Sequence, residues 1–289
     1  MLDVHRLRLL CDLSRLGTIA AVAQAHNYTP SAVSQQLSIL EREARMPLLE
    51  RTGRRVRLTA AGRMLVQHAE VVIAALEQTS AALASMATLS GPLRIGAFPT
   101  AVRTLLPAAL VALGRDHPGL ELMVTELDPV GVPGALRERR LDVGLLQDYD
   151  VAPDPPDSRL DSVPLLEETV YLAAQDSGAL GDFRDALWIL ATPGTLCHTM
   201  TLHVCRSAGF VPRARHHADD FATVLALVAA GQGVSLVPEL ATEHPPKGVR
   251  LTPLPVRRRT RIAYRQGGAT HPAVVAFASA MRAVIDARG

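Results

Sequence analysis

Leu7, Leu10, Leu13 and Leu16 recur every third residue at the start of the chain, the stripe of an amphipathic helix with one buried face. A shorter helix follows, with Thr18 suited to cap it and Ile19, Val22 and Ala23 facing inward. His26, Asn27 and Tyr28 make a tight turn into a longer helix, which opens on Thr29 and Pro30 and closes near Glu41. Thr29 suits the cap, and Pro30 suits the first helical position because it has no N–H to lose there. On this helix Val33, Leu37 and Leu40 share one side, whereas Ser31, Ser34 and Gln35 share another. Two short helices, a tight turn and a second face of small hydrogen-bonding side chains spell a helix-turn-helix, with the first helix packed beneath it.

The pattern then changes period. Residues 49–58 read as a short hairpin, with Gly53 available for the turn and Arg51, Arg54, Arg55 and Arg57 around it; beside a helix-turn-helix this is a wing for phosphate or minor-groove contact. From Thr59 to about residue 88 a long helix carries Leu65, Ala69, Val72, Leu76, Leu83 and Met86 at nearly seven-residue intervals, interrupted at Thr79. No neighbouring segment is large enough to cover that stripe, so it predicts self-association. A dimer would set two reading helices about one DNA turn apart on a pseudo-palindrome. Ser90, Gly91 and Pro92 end the helix.

Beyond residue 90 strands and helices alternate: strands at 93–98, 120–126 and 142–147 with helices at 100–117 and up to 136, then strands at 188–191, 214–218 and 234–237 with helices at 199–208 and 220–230. That rhythm predicts parallel sheets with helices on their faces. A last strand at 261–265 and a helix at 271–287 return to the first sheet. Residues 221–238 carry no charge for eighteen positions, but Gly231, Gln232 and Gly233 divide them into an apolar helix and a short buried strand, not a membrane span.

Over roughly the first 65 residues the chain resembles the LysR-type transcriptional regulators. The resemblance is carried by Gly17, Thr18, Ile19, Ala20 and Ala21, residues 31–37, Leu40 with Glu41, residues 47–51 and residues 58–62. Arg45 stands where the family usually has a helix-ending Gly, and Leu49 where it usually has Phe. The resemblance implies an α+β multidomain protein: a winged helix-turn-helix (1–58), a dimerisation linker helix (59–89) and a two-lobed α/β effector domain (90–289) similar to periplasmic solute-binding proteins. Lobe I would take about 93–166 and 267–289, and lobe II about 167–266, with the chain crossing near 166–169 and 261–267. It further implies a homodimer or homotetramer that binds double-stranded DNA and a small-molecule effector, and contacts RNA polymerase.

Composition refines this picture in two places. The net charge of +2 is unevenly spread: residues 1–90 hold ten Arg against seven acids, and seven of those arginines fall between residues 42 and 63, where a phosphate backbone would want them. Three cysteines form no disulfide framework and suit a reducing compartment, and the amino terminus has no signal-like apolar core, so a cytoplasmic location is expected.

The candidate DNA-binding residues are Thr29, Ser31, Ser34 and Gln35 for base readout, Pro30 to position the helix start, and Arg51, Arg54 and Arg55 for the backbone or minor groove. Gln35 suits a two-point contact to adenine. For the effector, Pro99, Thr100 and Ala101 form a strand-to-helix junction whose backbone N–H groups and hydroxyl suit a carboxylate or similar anion. Gly194, Thr195 and Asp219 form the matching lip of the second lobe, and Gln147 ends a strand of the first.

Cys197, Cys205 and the nearby His198, His203, His216 and His217 raise the alternative of a thiol- or metal-responsive regulator on the same scaffold. Their spacing matches no metal motif, and no metal or other cofactor is expected. The peroxide-sensing branch of the family carries two cysteines in this region, one residue further apart than here. Arg257, Arg258 and Arg259 read as a solvated edge, and the absence of a phosphate-binding motif, nucleophile elbow or triad spacing leaves an enzymatic role without support.

Overall fold

The computed structural model describes residues 1–52, 55–85, 89–151, 157 and 159–288. The chain divides into two compact units, Met1–Met86 with Arg265–His271, and Ala87–Tyr264 with Pro272–Gly289.

The first unit starts with helices α1 (Val4–Leu16), α2 (Ile19–Ala25) and α3 (Pro30–Ala44). Their starts are set by side-chain caps: Asp3 Oδ1 accepts from the Arg6 N–H (3.0 Å), Thr18 Oγ1 from Ala21 (3.1 Å) and Thr29 Oγ1 from Ala32 (3.2 Å). Leu7, Leu10, Leu13, Val22, Val33, Leu37 and Leu40 meet in one core, so the two stripes on the first and third helices close on each other. Arg45 ends α3 with φ +55°, a left-handed turn made without glycine. Strands β1 (Leu49–Thr52) and β2 (Arg55–Leu58) pair antiparallel, with Leu49 opposite Leu58 and Thr52 opposite Arg55. Gly53 and Arg54 lie outside the described residues.

Helix α4 (Ala60–Ser85) follows, capped by Thr59 Oγ1, which accepts from the Gly62 N–H (3.0 Å) and donates to the Pro47 carbonyl (2.8 Å). Leu65, Val66 and Ala69 join the core of the unit. Further along, Val72, Leu76 and Leu83 are 44%, 40% and 65% exposed, so the later part of the predicted stripe is uncovered among the described residues. Met86 lies outside the described residues.

The second unit contains β3 (Gly91–Ala97), α5 (Pro99–Thr104), α6 (Leu106–Asp116), β4 (Leu120–Glu126), α7 (Val132–Arg137) and β5 (Val143–Tyr149). The helix expected over 100–117 is broken at Leu105, because Pro107 has no N–H for the carbonyl one turn earlier. A fifteen-residue strand, β6 (Leu160–Ala174), was not anticipated: its apolar positions are interrupted by Pro164, Glu167 and Glu168. Then come β7 (Leu187–Leu190), α8 (Leu196–Ser207), β8 (Arg213–His217), α9 (Phe221–Ala229), β9 (Ser235–Pro238), β10 (Arg250–Arg265) and α10 (Pro272–Asp286).

Among the described residues the main sheet runs β4-β3-β5-β10-β6-β9, and β7 and β8 form a second, parallel pair. The expected parallel pairing holds for β3 with β4 and β5 and for β7 with β8, and is corrected at β10 and β9. β3 is parallel to β4 and β5, but β10 returns antiparallel to β5 and β9 is antiparallel to β6. The cause is the length of β6 and β10, which carry the chain between lobes as continuous strands. Residues 258–264 of β10 are already in register with residues 143–149 of β5, so the return crossing precedes the expected 261–267 and these residues belong with lobe I, not lobe II. One core packs α6 and α10 against β3 and β5 through Leu106, Leu113, Phe277 and Met281; another gathers Leu172, Trp188, Met200 and Cys205. Among the described residues no helix is long and apolar enough to cross a membrane.

Candidate functional site

The first candidate surface is the start of α3. Thr29, Pro30, Ser31 and Gln35 are exposed and Ser34 is half-buried, while Val33, Leu37 and Leu40 hold the opposite side in the core. Thr29 Oγ1 lies 3.0 Å from Ser31 Oγ, so the cap also orients the first serine. Gln36 is not part of this face: its Oε1 accepts from Arg6 Nε (2.9 Å). The turn before α3 is braced by Asp12, only 6% exposed, whose Oδ2 is 2.8 Å from His26 Nε2, with the Tyr28 ring stacked on that imidazole. Glu41 ties the wing to the helix, its Oε1 accepting from the N–H groups of Leu48 (2.9 Å) and Leu49 (3.0 Å). Arg51 and Arg55 lie on the two wing strands and Arg57 is exposed, whereas Arg54 lies outside the described residues.

The second candidate is a cavity of about 210 Å³ in the Ala87–Tyr264 unit, walled by both lobes. Five of the seven predicted effector residues line it: Pro99, Thr100, Gln147, Thr195 and Asp219. Two do not. Ala101 is fully buried in the lobe I core, because the first turn of α5 points it inward. Gly194 is exposed and has φ +95°, so it shapes the turn before α8 rather than lining the cavity. Thr195 has a capping role, accepting from the His198 N–H and donating to the Thr192 carbonyl. Asp219 takes both the N–H and the hydroxyl of Thr192, each at 2.7 Å. Thr100 is not the cap of α5, a place held by Phe98; it is 4% exposed.

The residue that sequence reasoning misplaced is Arg258. Far from a solvated edge, it is 1% exposed and lines the cavity. Its Nε and Nη2 lie 2.5 Å from Glu168 Oε1, its guanidinium covers the Phe98 ring 5.1 Å from the centroid, and the Gln147 side-chain amide reaches within 3.0 Å of Nη1, where its oxygen can accept. Burial opposes the charge on Arg258, but the Glu168 carboxylate together with Tyr149 and Cys197 more than offsets it and keeps the guanidinium protonated. The readable signal was alternation: Leu254, Val256, Arg258, Thr260 and Ile262 occupy every second position, and all five face inward. Asp128 and Glu126, also on the lining, were missed: Asp128 is a loop acid and Glu126 is the last residue of β4, and neither position marks a site along the sequence.

Cys197 lines the same cavity, with its Sγ 3.4 Å from the Tyr149 hydroxyl. Burial pushes its thiol up, and pushes that of Cys205 up to about 12. Both sit on α8, eight residues apart, hence about 12 Å along its axis, well beyond disulfide reach while the helix is intact. Among the described residues no three His, Cys, Asp or Glu side chains gather as a metal-binding group.

A winged helix-turn-helix on one unit and a two-lobed α/β cleft on the other define a DNA-binding regulator with a ligand-binding domain. Residues 4–63 match the family described as bacterial regulatory helix-turn-helix protein, lysR family, and residues 87–286 match the LysR substrate binding domain. The chain therefore belongs to the LysR family of transcriptional regulators. It is 27% identical over 249 residues to the transcriptional dual regulator GltC of Bacillus subtilis, covering 82% of this chain and 81% of that one. It is 29% identical over 280 residues to the hydrogen peroxide-inducible genes activator of Haemophilus influenzae, covering 92% and 91%. The fold is similar to that of full-length BenM, with a TM-score of 0.58 at 22% identity, covering all of this chain and 98% of that one.

Proposed function

We propose that this regulator reads its operator through Thr29, Ser31, Ser34 and Gln35, holds the DNA backbone or minor groove with Arg51, Arg54 and Arg55, and is switched by a small molecule in the cleft. The observation that carries the second half is the cavity itself, lined by buried Thr100, Gln147 and Arg258 from one lobe and by Thr195 and Asp219 from the other. A ligand bound between lobes stabilises the lobe arrangement it fits best, and only that difference in affinity can shift the regulator's state. The exposed apolar residues of α4 support a homodimer, and two dimers would give a tetramer. The chain acts on cytoplasmic DNA, with RNA polymerase as the downstream partner.

The relative named for hydrogen peroxide brings a second reading, a thiol switch at Cys197 and Cys205. Their placement on one helix and their raised thiols favour the small-molecule reading. Footprinting of the purified protein on the DNA upstream of its own gene, at several salt concentrations and with or without oxidant, tests both. An extended two-part protected region, unchanged by oxidant, is the expected result. Uniform coating with the same salt slope on unrelated DNA would remove sequence-specific regulation, and an oxidant-dependent footprint would favour the thiol switch.

A further inference from the structure

The cleft carries more negative than positive charge. Glu126 and Asp128 face it from one lobe and Asp219 from the other. Arg258, the lining cation among the described residues, is spent on Glu168. Neighbouring Asp220 is turned to Arg103 at 3.3 Å. Asp128 accepts from the Val130 N–H (3.0 Å) and Asp219 from Thr192, but neither carboxylate meets a cationic side chain among the described residues. Burial raises the Asp128 carboxyl, and the negative charge of Asp219 adds to it against the Val130 and Leu196 N–H groups, which lower it; both carboxylates line the one cavity. Like charges in a partly desolvated space repel, and the repulsion is relieved by a cation between them.

A separate feature lies on the Thr100 side of the cavity. Thr100 is 4% exposed, and its hydroxyl lines the cavity without a hydrogen-bond partner among the described residues. With no such partner, that hydroxyl is available to hydrogen-bond a ligand in the cavity.

We propose that the effector is a small organic amine, protonated at neutral pH, whose ammonium lies between Asp128 and Asp219 and whose hydrogen-bonding far end meets Thr100. The inference rests on the reading of this cleft as the effector site. A cavity of about 210 Å³ is somewhat larger than an engineered cavity of about 150 Å³ that holds benzene, which suits a ligand of about ten non-hydrogen atoms or fewer. A simple carboxylate would enter against three acids and find Arg258 already neutralised.

Calorimetric titration of the full-length protein with agmatine, putrescine and L-lysine, against glutarate and benzoate as anions of similar size, tests the charge of the ligand. At least one amine should bind, and Asp128→Asn and Asp219→Asn should each weaken it about tenfold or more. Asp219→Asn retains an oxygen for Thr192, and unchanged melting and operator binding would show that both variants fold. An anion that binds, with affinity unchanged or improved in Asp128→Asn, overturns the amine inference while the effector reading stands. Binding by none of the amines at millimolar concentration also overturns it. If, in addition, a cleft-filling Thr100→Trp variant regulates its promoter normally in cells, the effector reading falls as well.

Discussion

Arg258 is charged in a place where charge is expensive, and Glu168 makes it tolerable. Glu168 is itself 3% exposed and also accepts from the Leu240 N–H at 2.8 Å, so the pair fastens β10, β6 and the turn after β9 together. Removing one partner strands the other: Arg258→Met should cost about 3–5 kcal/mol in denaturant unfolding of the regulatory unit. Adding Glu168→Leu should recover part of that loss, with the Leu240 N–H still unpaired. The cysteines give a pH signature. Cys205 keeps its proton in the folded chain up to about 12, while the unfolded thiol titrates near 9. The folded state thus binds the extra proton between those values, and stability should fall as pH rises through that window. The denaturation midpoint should move down there in wild type and less in Cys205→Ala. On the DNA side, Gln35→Ala should cost about 1–3 kcal/mol and relax preference at one base pair, whereas Arg54→Ala should weaken all sequences alike and flatten the salt slope.

At the scale of elements, α4 lies so close to the wing that only glycine fits at one point. A Cβ on Gly62 would lie 2.2 Å from the Leu48 carbonyl oxygen, backbone that cannot swing aside. Gly62→Ala should therefore destabilise the winged unit by about 1–3 kcal/mol, read as a lower melting temperature with weakened operator binding. The rest of α4 makes a different prediction. Leu76 and Leu83 contribute little to the fold of one chain, being 40% and 65% exposed, yet leaving such a stripe in water is unfavourable. Leu76→Glu with Leu83→Glu should leave the melting of an isolated chain nearly unchanged and shift sedimentation from dimer to monomer. A dimer that survives both charges would assign the interface elsewhere.

For the whole molecule, regulation is a coupling between two sites, and coupling is reciprocal. If the effector changes operator affinity by some factor, operator DNA changes effector affinity by the same factor, typically about 5–150-fold. Titrating effector into the protein with and without operator DNA should give that same ratio in both directions. Equal effector affinities would mean the cleft is not connected to DNA binding.

The helix-turn-helix was legible in the sequence because its signals are local. Caps at Thr18 and Thr29, the proline at the first position of α3 and two apolar stripes act within a few residues of one another, and the wing was legible as a hairpin over 49–58, though its register was not. The strands β3, β4, β5 and β7 were legible for the same reason, as was the cleft at the ends of several of them. What only the tertiary structure decided is non-local. Whether Arg258 meets water or Glu168 depends on β10 pairing with strands far away in sequence, which also makes the sheet mixed and moves the lobe crossing. Likewise, Asp128 and Asp219 are ninety-one positions apart, and each alone is an ordinary loop acid. Only the packing of two lobes brings their charges to one cavity, because electrostatic pairing depends on distance through space and carries no period along the chain.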